Sequence, residues 1–351
     1  MPKTRVLIVE DSLTTRKYMA EVLNADPALE VIGEAADGKQ AIELCRNLRP
    51  DVMTLDMILP ALSGLAVTEY VMAFCPTPIL IVSASTNRGE LYKTYDALAA
   101  GAVDVLEKPA GDDVDGAWAR GLVSAVKLVS QIRVITHVRG RLGPLRETAN
   151  GAPVPLRNGS SKKTVIAIGA STGGPAAIVK ILRGLPAAFP IPILLVIHIG
   201  EPFGTSFAEW LDGQFSFGVR FAREGEALPP PGQSGVLMAP PGFHLTVEGR
   251  KLRLSTGPER NSCRPSVDVL FESLASELGK ETVACLLTGM GKDGAAGLLA
   301  LRQAGALTLA QDEASSVVFG MPMQAIQMGA VTRILPLDDI PSELSALARA
   351  S

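Results

Sequence analysis

The sequence predicts an α/β protein made of two doubly wound parallel-sheet domains joined by a linker. Three observations predict it: a first series of short apolar runs alternating with amphipathic stretches, a second such series, and a polar Gly/Pro/Ser-rich segment between them. A chain of 351 residues also exceeds what one hydrophobic core usually serves.

In the first series the apolar runs are RVLIVED, EVIGEA, DVMTLD, PILIVSA and VDVLEK. Between them lie the helical stretches TTRKYMAEVLN, GKQAIELCRNL, GLAVTEYVMAF and GELYKTYDALAAG, and a last helix is expected near Gly116–Val134. Strands that read as continuous apolar runs are buried on both faces, so a parallel sheet covered on both sides is expected over 1–130. From Arg133 to Lys163 there are seven basic residues against the single acid Glu147, among Gly, Pro, Asn and Ser. That composition reads as a solvated linker, assigned to 131–162.

The second series, assigned to 163–351, opens with the runs TVIAIGA and PILLVIHIG, each followed by a helical stretch, PAAIVKILRGL and GTSFAEWLDG. A Pro/Gly-rich middle with a hairpin-like insert near Gly235–Ser255 comes next. The alternation then resumes with helical VDVLFESLASELG, apolar ETVACLLTG, helical GAAGLLALRQAG, apolar LTLAQ and helical MPMQAIQMG.

Composition excludes several classes. A net charge of -3 and 5% aromatic residues supply neither a basic field nor a stacking surface for nucleic acid. GAAGLLALRQAG carries only Arg302, too little for a recognition helix. The longest apolar runs fall far short of the ~18 residues a membrane span needs, and the amino end has no signal-peptide pattern, so a cytoplasmic protein is expected. Cys45, Cys75, Cys263 and Cys285 form no C-x-x-C pair; a thiol nucleophile among them is one reading, and ordinary reduced core or surface cysteines the favoured one.

Ligands of a parallel sheet gather beyond the carboxyl ends of its strands. In the first series those ends carry Glu10 and Asp11, Asp56, Ser83 and Lys108. Each alone is commonly a cap or a turn residue; together on one edge they suit a hard cation and a phosphoryl group. Carboxylates would hold Mg²⁺, Lys108 and Ser83 would hold phosphoryl oxygens, and Asp56 would attack as nucleophile. LIVEDS, TLDMILPALSGL, IVSAST and VLEKPA resemble, in order, the motifs of the receiver domain of bacterial response regulators. The resemblance implies a flavodoxin-like fold, Mg²⁺-dependent phosphorylation of Asp56 by a partner histidine kinase, and the Ile58 carbonyl as a further metal ligand. Val105 stands where many receivers carry an aromatic switch residue.

In the second series, Gly169, Ser171 and Gly173 make a G-x-S-x-G match between a strand and a helix, a setting that exposes a serine hydroxyl at a sheet edge. A phosphate cradle competes, but the middle glycine of a dinucleotide fingerprint and the Lys-Ser/Thr of a P-loop are missing. A helix-capping serine is the other alternative. A nucleophilic serine needs a base. Of three histidines, His137 lies in the linker, His244 reads as an exposed residue of a loop or hairpin, and His198 ends the strand after the serine, on the same edge. Asp293, in a glycine-rich turn beyond another buried strand, would orient the imidazole. The order Ser171, His198, Asp293 differs from the Ser, acid, His order of α/β-hydrolases.

The segments GASTGGP, VIHI, TGMGKDGAAGLLAL, RPSVDVLFESL and AQDEASSVVFGMP resemble the catalytic domain of the chemotaxis protein-glutamate methylesterases, a Rossmann-like fold. The resemblance spans both domains in the family's order. It implies Ser171, His198 and Asp293 as catalytic residues, with Thr172 and the Met290 backbone at the oxyanion site. It further implies hydrolysis of glutamyl methyl esters, and glutamine deamidation, on methyl-accepting chemoreceptors, with the kinase of a chemosensory array as phosphodonor and no cofactor for the esterase. Departures are Pro175 and Ala176 after the serine motif, IGEPFG after His198, and Cys263 before RPSVD, where histidine is common.

Overall fold

The computed structural model describes residues 2–84, 88–108, 116–132, 134, 162–201 and 203–349. Nearly all of the expected linker, His137 included, lies outside the described residues.

The amino-terminal sheet contains β1 (Thr4–Val9), β2 (Leu29–Ala35), β3 (Val52–Leu55), β4 (Ile79–Ser83) and β5 (Asp104–Glu107) in the order β2-β1-β3-β4-β5. All its pairings are parallel. The crossovers are α1 (Leu13–Ala25), α2 (Gly38–Leu48), α3 (Gly64–Phe74) and α4 (Arg88–Ala99), and α5 (Ala117–Ser130) follows the last strand. Ser12, Asp37 and Ser63 cap α1, α2 and α3 by accepting backbone N–H bonds, which starts each helix directly after a strand end. Every residue of β3 and β4 is buried, as a sheet covered on both faces requires.

The second sheet contains β6 (Val165–Ala170), β7 (Ile193–Ile197), β8 (Val219–Phe221), β9 (Val236–Met238), β12 (Thr282–Leu286), β13 (Leu307–Gln311) and β14 (Arg333–Leu335). Its order is β14-β13-β12-β6-β7-β9-β8, with parallel pairings throughout. The remaining strands, β10 (His244–Glu248) and β11 (Lys251–Ser255), form a separate antiparallel hairpin. The helices are α6 (Gly174–Gly184), α7 (Phe203–Asp212), α8 (Val267–Glu277), α9 (Ala295–Gln303), α10 (Met321–Gln327) and α11 (Ile340–Arg349). Strands after β6 are added on one side as far as β8 and β9 and then, from β12, on the other, so the crevice beyond the carboxyl ends of β6 and β12 is where a doubly wound sheet binds its ligand.

The expected alternation is present in both sheets, with three differences. Val236–Met238 belongs to the main sheet rather than to the hairpin insert, because PGQSG before it and APPG after it isolate a three-residue strand. The short strands β8 and β14 and the final helix α11 were not anticipated; three-residue strands carry too little periodicity to announce themselves. The fifth helix of the first domain ends at Ser130, short of Val134.

The two domains pack against each other through α4 and α7. Tyr95 is fully buried, its ring 5.2 Å from that of Phe207 and 5.6 Å from that of Trp210, and its hydroxyl donates to the Phe203 carbonyl. Such ring pairs contribute roughly 0.5–1.5 kcal/mol each beyond their buried area. Trp210 Nε1 donates to Asp96 Oδ1 at 3.3 Å, and an exposed pair joins Arg88 to Glu209 at 2.9 Å.

Candidate active site

Ser171 follows β6 directly, in a turn drawn tight by the Gly174 N–H donating to the Ser171 carbonyl at 2.6 Å. Gly173, at φ 76°, caps α6, and a Cβ there would lie 2.5 Å from Val317. Gly289, in the loop after β12, passes so close to the serine that a Cβ on it would come within 2.7 Å of Ser171 Cβ. Gly173 makes room for the Val317 side chain, and Gly289 lets the loop after β12 pass against Ser171. The Ser171 N–H donates to the Thr288 carbonyl at 3.0 Å. Among the described residues the N–H groups of Thr172 and Met290 donate to no protein acceptor, and the Met290 side chain is exposed.

His198 immediately follows β7. Its Nε2 lies 2.9 Å from Asp293 Oδ2. The carboxylate of Asp293 is heavily held: Oδ1 accepts from Ser266 Oγ at 2.7 Å, Asn261 Nδ2 at 3.1 Å and the Asp268 N–H at 3.2 Å, while Oδ2 also accepts from the Val267 N–H at 2.7 Å. These backbone donors are the first turn of α8, whose positive end favours an anion. Burial alone would raise the carboxyl, but its bonds to His198 and Ser266 outweigh that and hold it down at about 2. For His198 burial alone would lower the imidazole; the bonds to Asp293 and to the Cys263 thiol outweigh it and raise it to about 9.

Ser171 and His198 line one cavity of about 230 Å³, together with Pro175, Ile199 and Gly200. Its opposite wall is β5 of the other domain, from Asp104 to Glu107. Burial pushes the Asp104 carboxyl above the usual carboxylate range, against the hydrogen bond it accepts from the Val105 N–H at 2.8 Å. No hydrogen bond joins Ser171 to His198 among the described residues. The structure therefore unites His198 with Asp293 and brings Ser171 to the same cavity. Catalytic hydrogen bonds are commonly loose before substrate binds.

On the first domain's carboxyl edge, Lys108 Nζ stands 2.7 Å from both Glu10 Oε2 and Asp56 Oδ2. Glu10 and Asp56 are buried, whereas Asp11 is exposed, and the three acids can place one oxygen each within 4.8 Å of the others. Burial raises the Glu10 carboxyl. The Lys108 ammonium is the partner of the buried Glu10 Oε2 and offsets part of that burial. Three carboxylates able to converge on one point form an all-oxygen donor set, which fits Mg²⁺. Ser83 is buried beside Lys108, whose N–H donates to the Ser83 carbonyl at 3.0 Å. Ile58, 48% exposed, donates its N–H to Asp56 Oδ1 at 3.2 Å.

Residues 166–344 match the family described as CheB methylesterase, and residues 6–114 match the response regulator receiver domain. A protein-glutamate methylesterase/protein-glutamine glutaminase of Nitrosospira multiformis is 43% identical over 97% of this chain and 96% of its own. One from Anaeromyxobacter dehalogenans is 43% identical over 98% and 97%. The chain belongs to the CheB methylesterase family. The crystal structure of the Thermotoga maritima CheB methylesterase catalytic domain, 36% identical, covers 53% of this chain and 100% of its own at a TM-score of 0.50.

Within this methylesterase, sequence reasoning misplaced or missed several residues. His244 is in the hairpin but not exposed: it begins β10 buried, accepting from the Ser266 N–H at Nδ1, with Nε2 at 3.0 Å from the Pro258 carbonyl. It braces the start of α8. The cradle of Asp293 was missed, although PSVD carries a helix-cap signature that could have revealed it. Cys263, read as an ordinary thiol, lies 3.6 Å from His198 Nδ1. Nothing in its spacing announces that contact.

Proposed function

We propose that this chain hydrolyses glutamyl methyl esters of methyl-accepting chemoreceptors, and deamidates glutamines there, through Ser171, His198 and Asp293, under control of phosphorylation at Asp56. The observation that carries the reading is the His198–Asp293 pair on the wall of the cavity that holds Ser171, in a chain of this family.

With Nε2 occupied by Asp293, Nδ1 is the basic nitrogen of His198. It takes the proton of Ser171 Oγ as the oxygen attacks the ester carbonyl, and passes it to the departing methanol. Water then attacks the acyl-enzyme by the same route. Thr172 and Met290 present their unengaged N–H groups to the developing oxyanion. The imidazole raised to about 9 makes a prediction. Below that pH the base is charged, so kcat/KM of the unphosphorylated chain climbs with pH and levels off near pH 9. A flat profile from neutrality to that point contradicts the assignment.

The receiver wall supports regulation. β5 closes the cavity over Ser171, too tightly for a receptor helix ~10 Å across. Phosphorylation shifts the population toward an open arrangement of the domains. Glu10, Asp11, Asp56 and the Ile58 carbonyl would hold Mg²⁺, which when bound neutralises charge on phosphoryl oxygens. Lys108 and Ser83 are placed to hold those oxygens as the partner kinase's phosphoryl group passes to Asp56. Kinase and receptor helices fit a cytoplasmic setting, and among the described residues no helix is long and apolar enough to cross a membrane. A small phosphodonor is expected to raise methanol release from methylated receptor about tenfold, a population shift of about 1.4 kcal/mol. In Asp56→Asn the donor changes nothing; equal activation of that variant contradicts the switch.

A further inference from the structure

We propose that Cys263 is a second nucleophile beside His198, a thiol that peroxide-class oxidants convert to a sulfenic acid, and that this modification silences the esterase reversibly. The inference rests on His198 being the esterase base.

The hydrogen-bonded chain in the structure is Cys263–His198–Asp293. The thiol sulfur lies 3.6 Å from Nδ1, and Nε2 lies 2.9 Å from the carboxylate. With Nε2 held by Asp293, Nδ1 faces the sulfur and can take the thiol proton, leaving an imidazolium beside a thiolate, the arrangement by which a histidine activates a nucleophile. A built turn sets this geometry. Arg260 and Cys263 exchange two backbone hydrogen bonds, 3.1 and 2.9 Å, across Asn261 and Ser262, both left-handed at φ 53° and 60°. That is a two-residue hairpin of the mirror-image kind, in which residues other than glycine are strained, Asn least. Asn261 repays the strain by bonding Asp293, and its carbonyl receives the Cys263 thiol at 3.4 Å. Cys45, Cys75 and Cys285 are buried in the cores, whereas Cys263 is only half-buried.

A cation held by the same three groups fits less well, because five donors already occupy the two oxygens of Asp293. In the oxidation, Nδ1 takes the thiol proton and sulfur attacks one peroxide oxygen. The S–O bond forms, the O–O bond breaks, and the leaving hydroxide collects the proton from the imidazolium as water. Sulfur loses two electrons, and the peroxide is reduced by two. The added oxygen stands beside Nδ1 and denies it to Ser171.

Full-length protein is treated with dilute hydrogen peroxide, and sulfenic acid is captured with dimedone and located by peptide mass spectrometry. The adduct is expected at Cys263 and not at the three buried cysteines, forming at least tenfold more slowly in His198→Gln. Wild-type esterase activity should fall in step with oxidation and return on reduction by a dithiol, while Cys263→Ser keeps its own rate through the same treatment. No adduct at Cys263, or one indifferent to His198, overturns the proposal. So does an adduct that leaves esterase activity intact. Labelling is read by mass and does not need the esterase, so a failure of the hydrolase assignment leaves a separate signature: His198-dependent labelling in a protein that releases no methanol.

Discussion

Ser171→Ala lowers methanol release from methylated chemoreceptor by about 10⁴-fold or more, with the fold and phosphorylation of the receiver unchanged. The size follows from what the hydroxyl does. Without it no acyl-enzyme forms, and only water attacking within an oxyanion site remains, which leaves a residual of order 10³–10⁴ over uncatalysed hydrolysis. The small size of the change keeps the protein folded. Ser171 contributes its backbone to the turn, donating to Thr288 and accepting from Gly174, and alanine preserves both bonds. A variant that folds and still turns over within tenfold of wild type would mean the hydroxyl only shapes the start of α6.

Asp293→Asn strikes both catalysis and stability. An amide cannot accept from every donor now aimed at this side chain: its NH₂ would face Ser266 Oγ, Asn261 Nδ2 and the Asp268 N–H, or else the Val267 N–H and the imidazole. Losing the carboxylate is expected to cost about 10³–10⁴ in kcat by misorienting the base. Leaving buried donors and a buried imidazole unmatched costs roughly 3 kcal/mol or more of folding stability. The pH dependence carries a sign that chemical denaturation can read. The Asp293 carboxyl is lowered to about 2 from 3.8, so its contribution is present above 3.8 and lost as pH falls through 2. His198 is raised to about 9 from 6.5, so its contribution is present below 6.5 and lost as pH rises through 9. Wild type should therefore exceed the variant by most between pH 4 and 6.5, with the gap closing on both sides. A gap independent of pH would show that the ion pair adds nothing.

The fold was legible wherever buried strands ran four or more apolar residues between amphipathic helices, as in TRVLIV or VIAIGA. β8, β9 and β14, three residues each, fell below that threshold and were set by pairing with neighbours. The edge positions of Ser171, His198 and Asp293 could be read because a parallel sheet sends every strand end to one rim. The supporting residues could not. Asn261, Ser266 and Asp268 reach Asp293 from 25 to 32 residues away in sequence, and Cys263 reaches His198 from 65 away. Such contacts come from packing α8 against the sheet, which no local period encodes. His244 misled for the same reason: the APPG before it reads as a loop, but the hairpin folds it inward.

The central claim is that Ser171 becomes a nucleophile through His198 in a cleft the receiver closes. A serine-directed fluorophosphonate, followed by intact-mass and peptide analysis, tests it most directly. One adduct is expected, on Ser171, forming faster after treatment with a phosphodonor and absent in His198→Gln. Unlabelled Ser171 in a preparation that releases methanol from receptor would contradict the account.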